Sequence, residues 1–137
     1  MSQVGIELLE AFSDALNRHD IDAVMAMMTE DCEFHAIAGP ELMGKRFVGQ
    51  AEVRQALENA WKVAPDAAWV DGEHVVVGDR GFTESTYKGT TVDGARSEAR
   101  MNDAFTFRDG KIAVKNATPG RSGCTRSAWR ACKPSRA

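Results

Sequence analysis

Asp103 is a carboxylate set among apolar residues, and it is where this sequence comes closest to acid/base chemistry. In the stretch Arg96–Phe107, the residues Ala99, Met101, Asp103, Phe105 and Phe107 alternate with Glu98, Arg100, Asn102, Ala104 and Thr106. The two-residue period of a strand puts each set on its own face. A carboxylate on the apolar face is costly unless it is hydrogen-bonded, paired or protonated. It can be a neutral acid that donates to a carbonyl, a base that removes a proton, or half of a buried ion pair. His35 is a second candidate acid/base group, the one imidazole beside a predicted interior strand. The alternation that turns Phe34 inward, however, turns His35 outward unless a bulge resets the register. Glu84 and Tyr87 fall on opposite faces of the preceding strand, so at most one enters the interior, and Tyr87 there could donate a hydrogen bond. His19 and His74 have no partner at a useful spacing and read as surface or loop residues.

Three helices and a run of strands must position these groups. Val4, Leu8, Leu9, Phe12, Ala15 and Leu16 recur at helical spacing and predict a helix from about Gln3 to Arg18. His19-Asp20 breaks it, and Asp20 caps a second short stripe of Ile21, Val24, Met25 and Met28. Asp31–Ala36 switches to strand alternation with Cys32, Phe34 and Ala36 on one face. Gly39-Pro40 and Gly44 form a loop, Phe47 marks a short extended piece, and Val53, Ala56, Leu57, Ala60 and Trp61 mark a third helix that Pro65 stops. Two strands, Ala67–Val77 and Gly81–Lys88, join at Gly78-Asp79-Arg80-Gly81. Val92-Asp93-Gly94 leads into the long Asp103 strand, and Arg108-Asp109-Gly110 turns it back into Lys111–Ala117. Helices followed by antiparallel strands indicate an α+β domain, a curved sheet wrapped on a helical layer with a conical space between them.

The totals narrow the classes of function. With 137 residues, 43% apolar and 27% charged, the chain is one globular domain with one sizeable core. A net charge of -3 argues against a general nucleic-acid binder. The balance is uneven: from Lys115 onward six Lys or Arg face no acidic residue. Residues 118–137 show neither stripe nor alternation beyond a possible turn around Trp129, so they read as an irregular basic tail appended to a domain of residues 1–117. The cysteines, Cys32, Cys124 and Cys132, are odd in number and lack metal-ligand spacing, which fits reduced thiols in the cytoplasm and no metal site. No Gly-rich phosphate loop is present, so no nucleotide cofactor is implied. No apolar run reaches the roughly 18 residues of a membrane span, and the amino-terminal pattern lacks the basic start and apolar core of a secretory signal.

The order of elements, with the texts LNRHDIDAVMAMMTEDCEFH, GPELMGKRFVGQAEVRQAL and DAFTFRDGKI, resembles the SnoaL-like branch of the NTF2-like superfamily over residues 3 to 117. The resemblance implies a cone-shaped α+β barrel, with three N-terminal helices packed on a curved antiparallel sheet, often a homodimer through that sheet. Cavities of this kind serve isomerases, cyclases, dehydratases, epoxide hydrolases and pure binding proteins, so the fold does not choose among them. Ketosteroid isomerases use an Asp base, a Tyr and a second, protonated Asp. Laid along this chain, the second Asp falls on Asp103, the Tyr on Phe12 and the base on Ala36. Two of those three parts are absent. SnoaL-type polyketide cyclases place a catalytic Asp on the last strand, where this chain has Ala117. The same alignment puts Lys115 on the inward side of that strand, within reach of Asp103.

The expectation is a cytoplasmic homodimer that takes a small, largely apolar, carbonyl-bearing ligand in its cone, with Asp103 and His35 as candidate catalytic residues. Phe12, Phe34, Trp61, Tyr87, Met101, Phe105 and Lys115 are its candidate lining, and no metal or other cofactor is required. The methionines at 25, 27, 28, 43 and 101 read as core filling or as a permissive ligand surface. Isomerisation or cyclisation through an enolate is the chemistry such a site would support. The competing reading is a non-catalytic binding or scaffold protein in which Asp103 is structural and the aromatic side chains fill the cone.

Overall fold

A computed structural model describes residues 4–36 and 46–119. The helices are α1 (Ile6–Asn17), α2 (Ile21–Ala26) and α3 (Gln50–Val63), and the strands are β1 (Met28–His35), β2 (Arg46–Val48), β3 (Ala68–Val77), β4 (Arg80–Thr90), β5 (Arg96–Arg108) and β6 (Lys111–Pro119). The predicted loop at 37–45, Met43 within it, and the tail at 120–137 lie outside the described residues. The β6 ladder runs two residues beyond Ala117, pairing Thr118 with Asn102 and Pro119 with Met101.

One six-stranded sheet in the order β2-β1-β6-β5-β4-β3 carries the fold. It is mixed, where the sequence suggested purely antiparallel pairing: β1 runs parallel to β6. No hairpin joins those two strands, and α3 with the intervening strands supplies the crossover that a parallel pair needs. The other neighbours are antiparallel. Two tight turns close the hairpins: Gly78-Asp79 between β3 and β4, and Asp109-Gly110 between β5 and β6. Gly78, Asp109 and Gly110 take φ of 59°, 56° and 76°, as a two-residue turn matched to sheet twist requires. The first turn is shorter than predicted because Arg80 and Gly81 are already in β4, pairing with Thr106 and Phe105. Gly81 sits there for space, since a Cβ on it would stand 2.5 Å from the Phe107 ring.

The helical layer covers one face of the sheet. α1 buries Leu9, Phe12, Ala15 and Leu16, the spacing that faces one side of a helix. Asp20 caps α2 by accepting from the Ala23 N–H at 3.2 Å. α3 buries Val53, Ala56, Leu57 and Trp61. Phe12 meets Phe105 edge-on with ring centroids 5.8 Å apart, joining helix to sheet at the centre of the core. Asn17 fixes α1 to β3: its amide donates to the Trp69 carbonyl at 2.9 Å and accepts from the Trp69 N–H at 2.7 Å.

His19 differs from its reading as a surface or loop group without a partner. It takes φ of 56°, its ring stacks on Trp61 at 4.8 Å, and its Nε2 is 2.8 Å from the Ala67 carbonyl, so it clamps the α1–α2 corner to the end of α3. His74 likewise has a partner, with Nδ1 2.8 Å from Thr83 Oγ1. The first contact spans 48 residues, which spacing along the chain does not reveal, and the second lies across the β3–β4 hairpin.

Candidate functional site

The inward face of the sheet is built in rows across the strands. Phe34, Lys115, Phe105 and Gly81 form one row through the β1, β6, β5 and β4 pairing. The next row holds Ala117, Asp103, Thr83 and His74. Met101 and Ser85 follow, then Ala99, Tyr87 and Trp69, then Ser97 and Gly89. Because β5 keeps strict alternation up to the irregularity between Thr106 and Phe107, Met101, Asp103 and Phe105 all point to the helices and are buried.

Asp103 and Lys115 form an ion pair inside this layer, Nζ to Oδ2 at 3.6 Å, with residue exposures of 6% and 4%. Burial pushes the Asp103 carboxyl above its usual range, and the Lys115 ammonium opposes that shift. The second carboxyl oxygen, Oδ1, has no hydrogen-bond partner among the described residues. Ser85 Oγ, on the neighbouring strand, has none either. Lys115 Nζ also lies 4.9 Å from the centre of the Phe34 ring, a cation–π contact that holds the ring over the charge.

A pocket of about 510 Å³ opens between α3 and the sheet. Phe34, Ala36 and Phe47 line one side, Tyr87, Thr91 and Ser97 the other, and Ala56, Asn59, Ala60 and Val63 of α3, with Ala64 just past its end, roof it. Phe34 and Phe47 stack with centroids 5.9 Å apart and present a flat aromatic wall. Burial, together with nearby Asp66, raises the Tyr87 phenol above its ordinary pKa, so it stays a neutral hydroxyl in the physiological range. This size and mostly apolar lining suit a small organic molecule with few polar groups. Among the described residues no group of three His, Cys, Asp or Glu could hold a metal ion, and no helix is long and apolar enough to cross a membrane.

Of the residues singled out in the sequence, Phe34 and Tyr87 line the pocket. Asp103 and Lys115 lie together behind Phe34, separated from the Tyr87 row by Met101 and Ser85. Phe12 and Phe105 pack on one another in the core, and Trp61 is buried beneath His19. His35 is not brought to this group. It points to the opposite face, its Nε2 2.9 Å from Glu33 Oε1, with Arg46 3.7 Å from the same oxygen. The bulge in β1 falls between Met28 and Glu33, before His35, and leaves Phe34 inward. Sequence reasoning missed Ser85, Asn59, Val63, Thr91 and Ser97. A usable signal did exist in α3, where Ala56, Ala60 and Ala64 repeat every four residues as a stripe of small side chains beside the Val53, Leu57 and Trp61 stripe.

Comparison with known proteins agrees with the geometry. Residues 9–115 match the family model of the SnoaL-like domain. A candidate polyketide cyclase from Pseudomonas putida KT2440 is 22% identical, with a TM-score of 0.75 over 85% of this chain and 92% of that one. TerC, co-crystallised with polyporic acid, is 22% identical, with a TM-score of 0.71 over 83% and 89% of the two chains. An NTF2-like protein of unknown function from Burkholderia pseudomallei K96243 is 17% identical, with a TM-score of 0.74 over 83% and 88%. The search of curated proteins found no match. Identities this low speak for the fold and leave the chemistry to the side chains described above.

Proposed function

The chain belongs to the SnoaL-like domain family, with an NTF2-like α+β fold, and on that premise we propose that it binds a small, largely apolar, carbonyl-bearing molecule between α3 and the sheet. The observation that carries this reading is the pocket of about 510 Å³ with its Phe34–Phe47 wall and the Tyr87 phenol. A flat ring system stacks against that wall, while Tyr87, Asn59, Thr91 and Ser97 give it a polar rim. The fold is compatible with such a ligand, since TerC is co-crystallised with polyporic acid.

Acid/base chemistry at Asp103, an isomerisation or cyclisation through an enol, is a second reading. It is favoured by one observation: a buried carboxyl group, raised in pKa, keeps one oxygen unengaged. His35, on the far face, has no part in it.

We further propose a homodimer that buries the outer face of the sheet. Val75, Val77 and Phe82 are 55%, 66% and 46% exposed there, beside a groove lined by Glu73, Thr83, Glu84, Asn102, Asp103 and Ala104. Cys32, a free thiol in the core, and the odd cysteine count fit a cytoplasmic protein.

The binding reading is tested by calorimetry with steroidal enones, aromatic polyketide mimics and small aromatic acids, on the wild type and on Ala60→Trp, which plugs the roof. One class binds the wild type, and the plugged variant loses it while keeping its melting temperature. Binding that survives in Ala60→Trp, or no binding by any class, overturns the assignment.

A further inference from the structure

On the side of the pocket opposite the aromatic wall, a missing side chain makes room for a hydroxyl group. Gly89 on β4 pairs with Ser97 on β5, and a Cβ on Gly89 would overlap the Tyr87 hydroxyl and stand 3.3 Å from the Ala64 methyl. The Tyr87 side chain therefore lies back along β4 over Gly89, and its hydroxyl reaches the row of Ser97. Opposed residues of an antiparallel pair carry Cβ atoms about 4.5–5.5 Å apart. The phenol that takes the place of a Gly89 side chain thus faces Ser97 across one such gap. Both residues line the pocket. One oxygen atom spans that gap by accepting two hydrogen bonds of roughly 2.8 Å, and a carbonyl oxygen has the two lone pairs to do so.

Charge decides which kind of oxygen fits. The residues that line the pocket are all uncharged, so a carboxylate entering it sheds water without gaining a cation. Lys115 does not supply one, because it lies behind the Phe34 ring and is paired with Asp103. Asp66, held by the Thr90 N–H at 2.6 Å, is close enough to act on the Tyr87 phenol. Burial first, and then the Asp66 charge, keep the proton on that phenol, so it donates at neutral pH. The same negative charge opposes an anionic ligand oxygen placed beside it. Arg96, which faces Asp66, is exposed and is not part of the lining.

We propose that Tyr87 and Ser97, on either side of the space left by Gly89, hold one neutral acceptor oxygen of the ligand, a ketone or quinone carbonyl, and that the pocket discriminates against carboxylates of the same shape. The ring body lies against the Phe34–Phe47 wall and the carbonyl points to β4 and β5. This rests on the binding reading above and adds the class of polar group and the direction in which it points.

The test titrates 2-acetylnaphthalene, 2-isopropenylnaphthalene and 2-naphthoate at neutral pH into the wild type, Tyr87→Phe, Ser97→Ala and Ala60→Trp by calorimetry, with melting temperatures of the ligand-free proteins. The alkene copies the ketone's shape without its acceptor, and the naphthoate adds charge. Tyr87→Phe weakens the ketone roughly 2- to 10-fold and leaves the alkene unchanged. Ser97→Ala, which removes a more exposed hydroxyl, lowers the ketone-to-alkene ratio by a smaller factor. Naphthoate binds the wild type more weakly than the ketone, and naphthoate binding as tightly overturns the preference for a neutral group. If Ala60→Trp abolishes binding of ketone and alkene but neither hydroxyl variant alters their ratio, the pocket stands and the anchor falls. Tyr87→Phe melting lower with an unaltered ratio assigns the phenol a structural role and likewise overturns the anchor. If no probe binds the wild type, the anchor falls together with the pocket.

Discussion

Lys115 Nζ stands 3.6 Å from Asp103 Oδ2 and 4.9 Å from the centre of the Phe34 ring, so one buried cation joins an acid inside the sheet layer to the wall of the pocket. The strands carrying the three side chains are consecutive in the sheet although β1 and β6 lie at opposite ends of the chain.

Breaking that pair from one side strands a charge. Lys115→Met leaves the Asp103 carboxylate buried without its cation, and an expected loss of about 3–5 kcal/mol follows. The double variant Asp103→Leu/Lys115→Met removes both charges and recovers much of that loss. Urea unfolding of the two variants checks this, and a double variant as unstable as the single one contradicts it.

The pH dependence of stability carries the sign of the Asp103 shift. Its folded-state pKa is raised above 3.8, mainly by burial, so its protonated form favours folding. That contribution is complete below 3.8 and is lost as pH rises through the elevated value. Relative to Asp103→Asn, the wild type loses stability on going from about pH 4 upward. Asp31, Asp66 and Asp93 are shifted down and act in the opposite sense at lower pH, but both proteins share them. Melting temperatures of the pair across pH give the answer, and a constant difference contradicts the assignment.

Two glycines on β4 separate packing from recognition. A Cβ at Gly81 would stand 2.5 Å from the Phe107 ring and 3.2 Å from Leu9, so Gly81→Ala overpacks the core and costs about 1–3 kcal/mol. A Cβ at Gly89 would overlap the Tyr87 hydroxyl and stand 2.9 Å from its Cζ. Tyr87 can swing away, so Gly89→Ala costs less stability but displaces the phenol from the pocket. The expected result is a large loss of melting temperature for the first variant and a loss of ligand affinity for the second.

Self-association through the outer sheet face is open to charge. Val75→Glu together with Phe82→Glu places carboxylates where the exposed apolar side chains lie, next to Glu73 and Glu84. The double variant sediments as a monomer at micromolar concentration while the wild type sediments as a dimer. A wild type that is already monomeric there removes the proposed interface.

Much of the scaffold is legible in the sequence because each signal is local. The spacing of Leu9, Phe12 and Leu16 fixes the buried face of α1, and the alternation from Met101 to Phe107 fixes the inward side of β5. Asp109-Gly110 specifies its own turn through the positive φ both residues adopt. The parity of Phe34 is enough to send His35 to the other face. None of these needs a contact beyond a few residues.

What tertiary structure decided depends on pairing between distant strands. That β1 lies parallel to β6, bringing Phe34 beside Lys115, is set by how the helical layer and the crossover pack. The partner of His19 comes from α3 and the segment after it, invisible to spacing. Ser85 is an unremarkable strand serine until the β4–β5 register sets it diagonally from Asp103 and buries its hydroxyl with no partner among the described residues. The sequence by itself determined which side chains face inward, because the helix and strand periods are properties of the local backbone. Which of them meet was decided by strand order and register, because those minimise the free energy of the whole packed core.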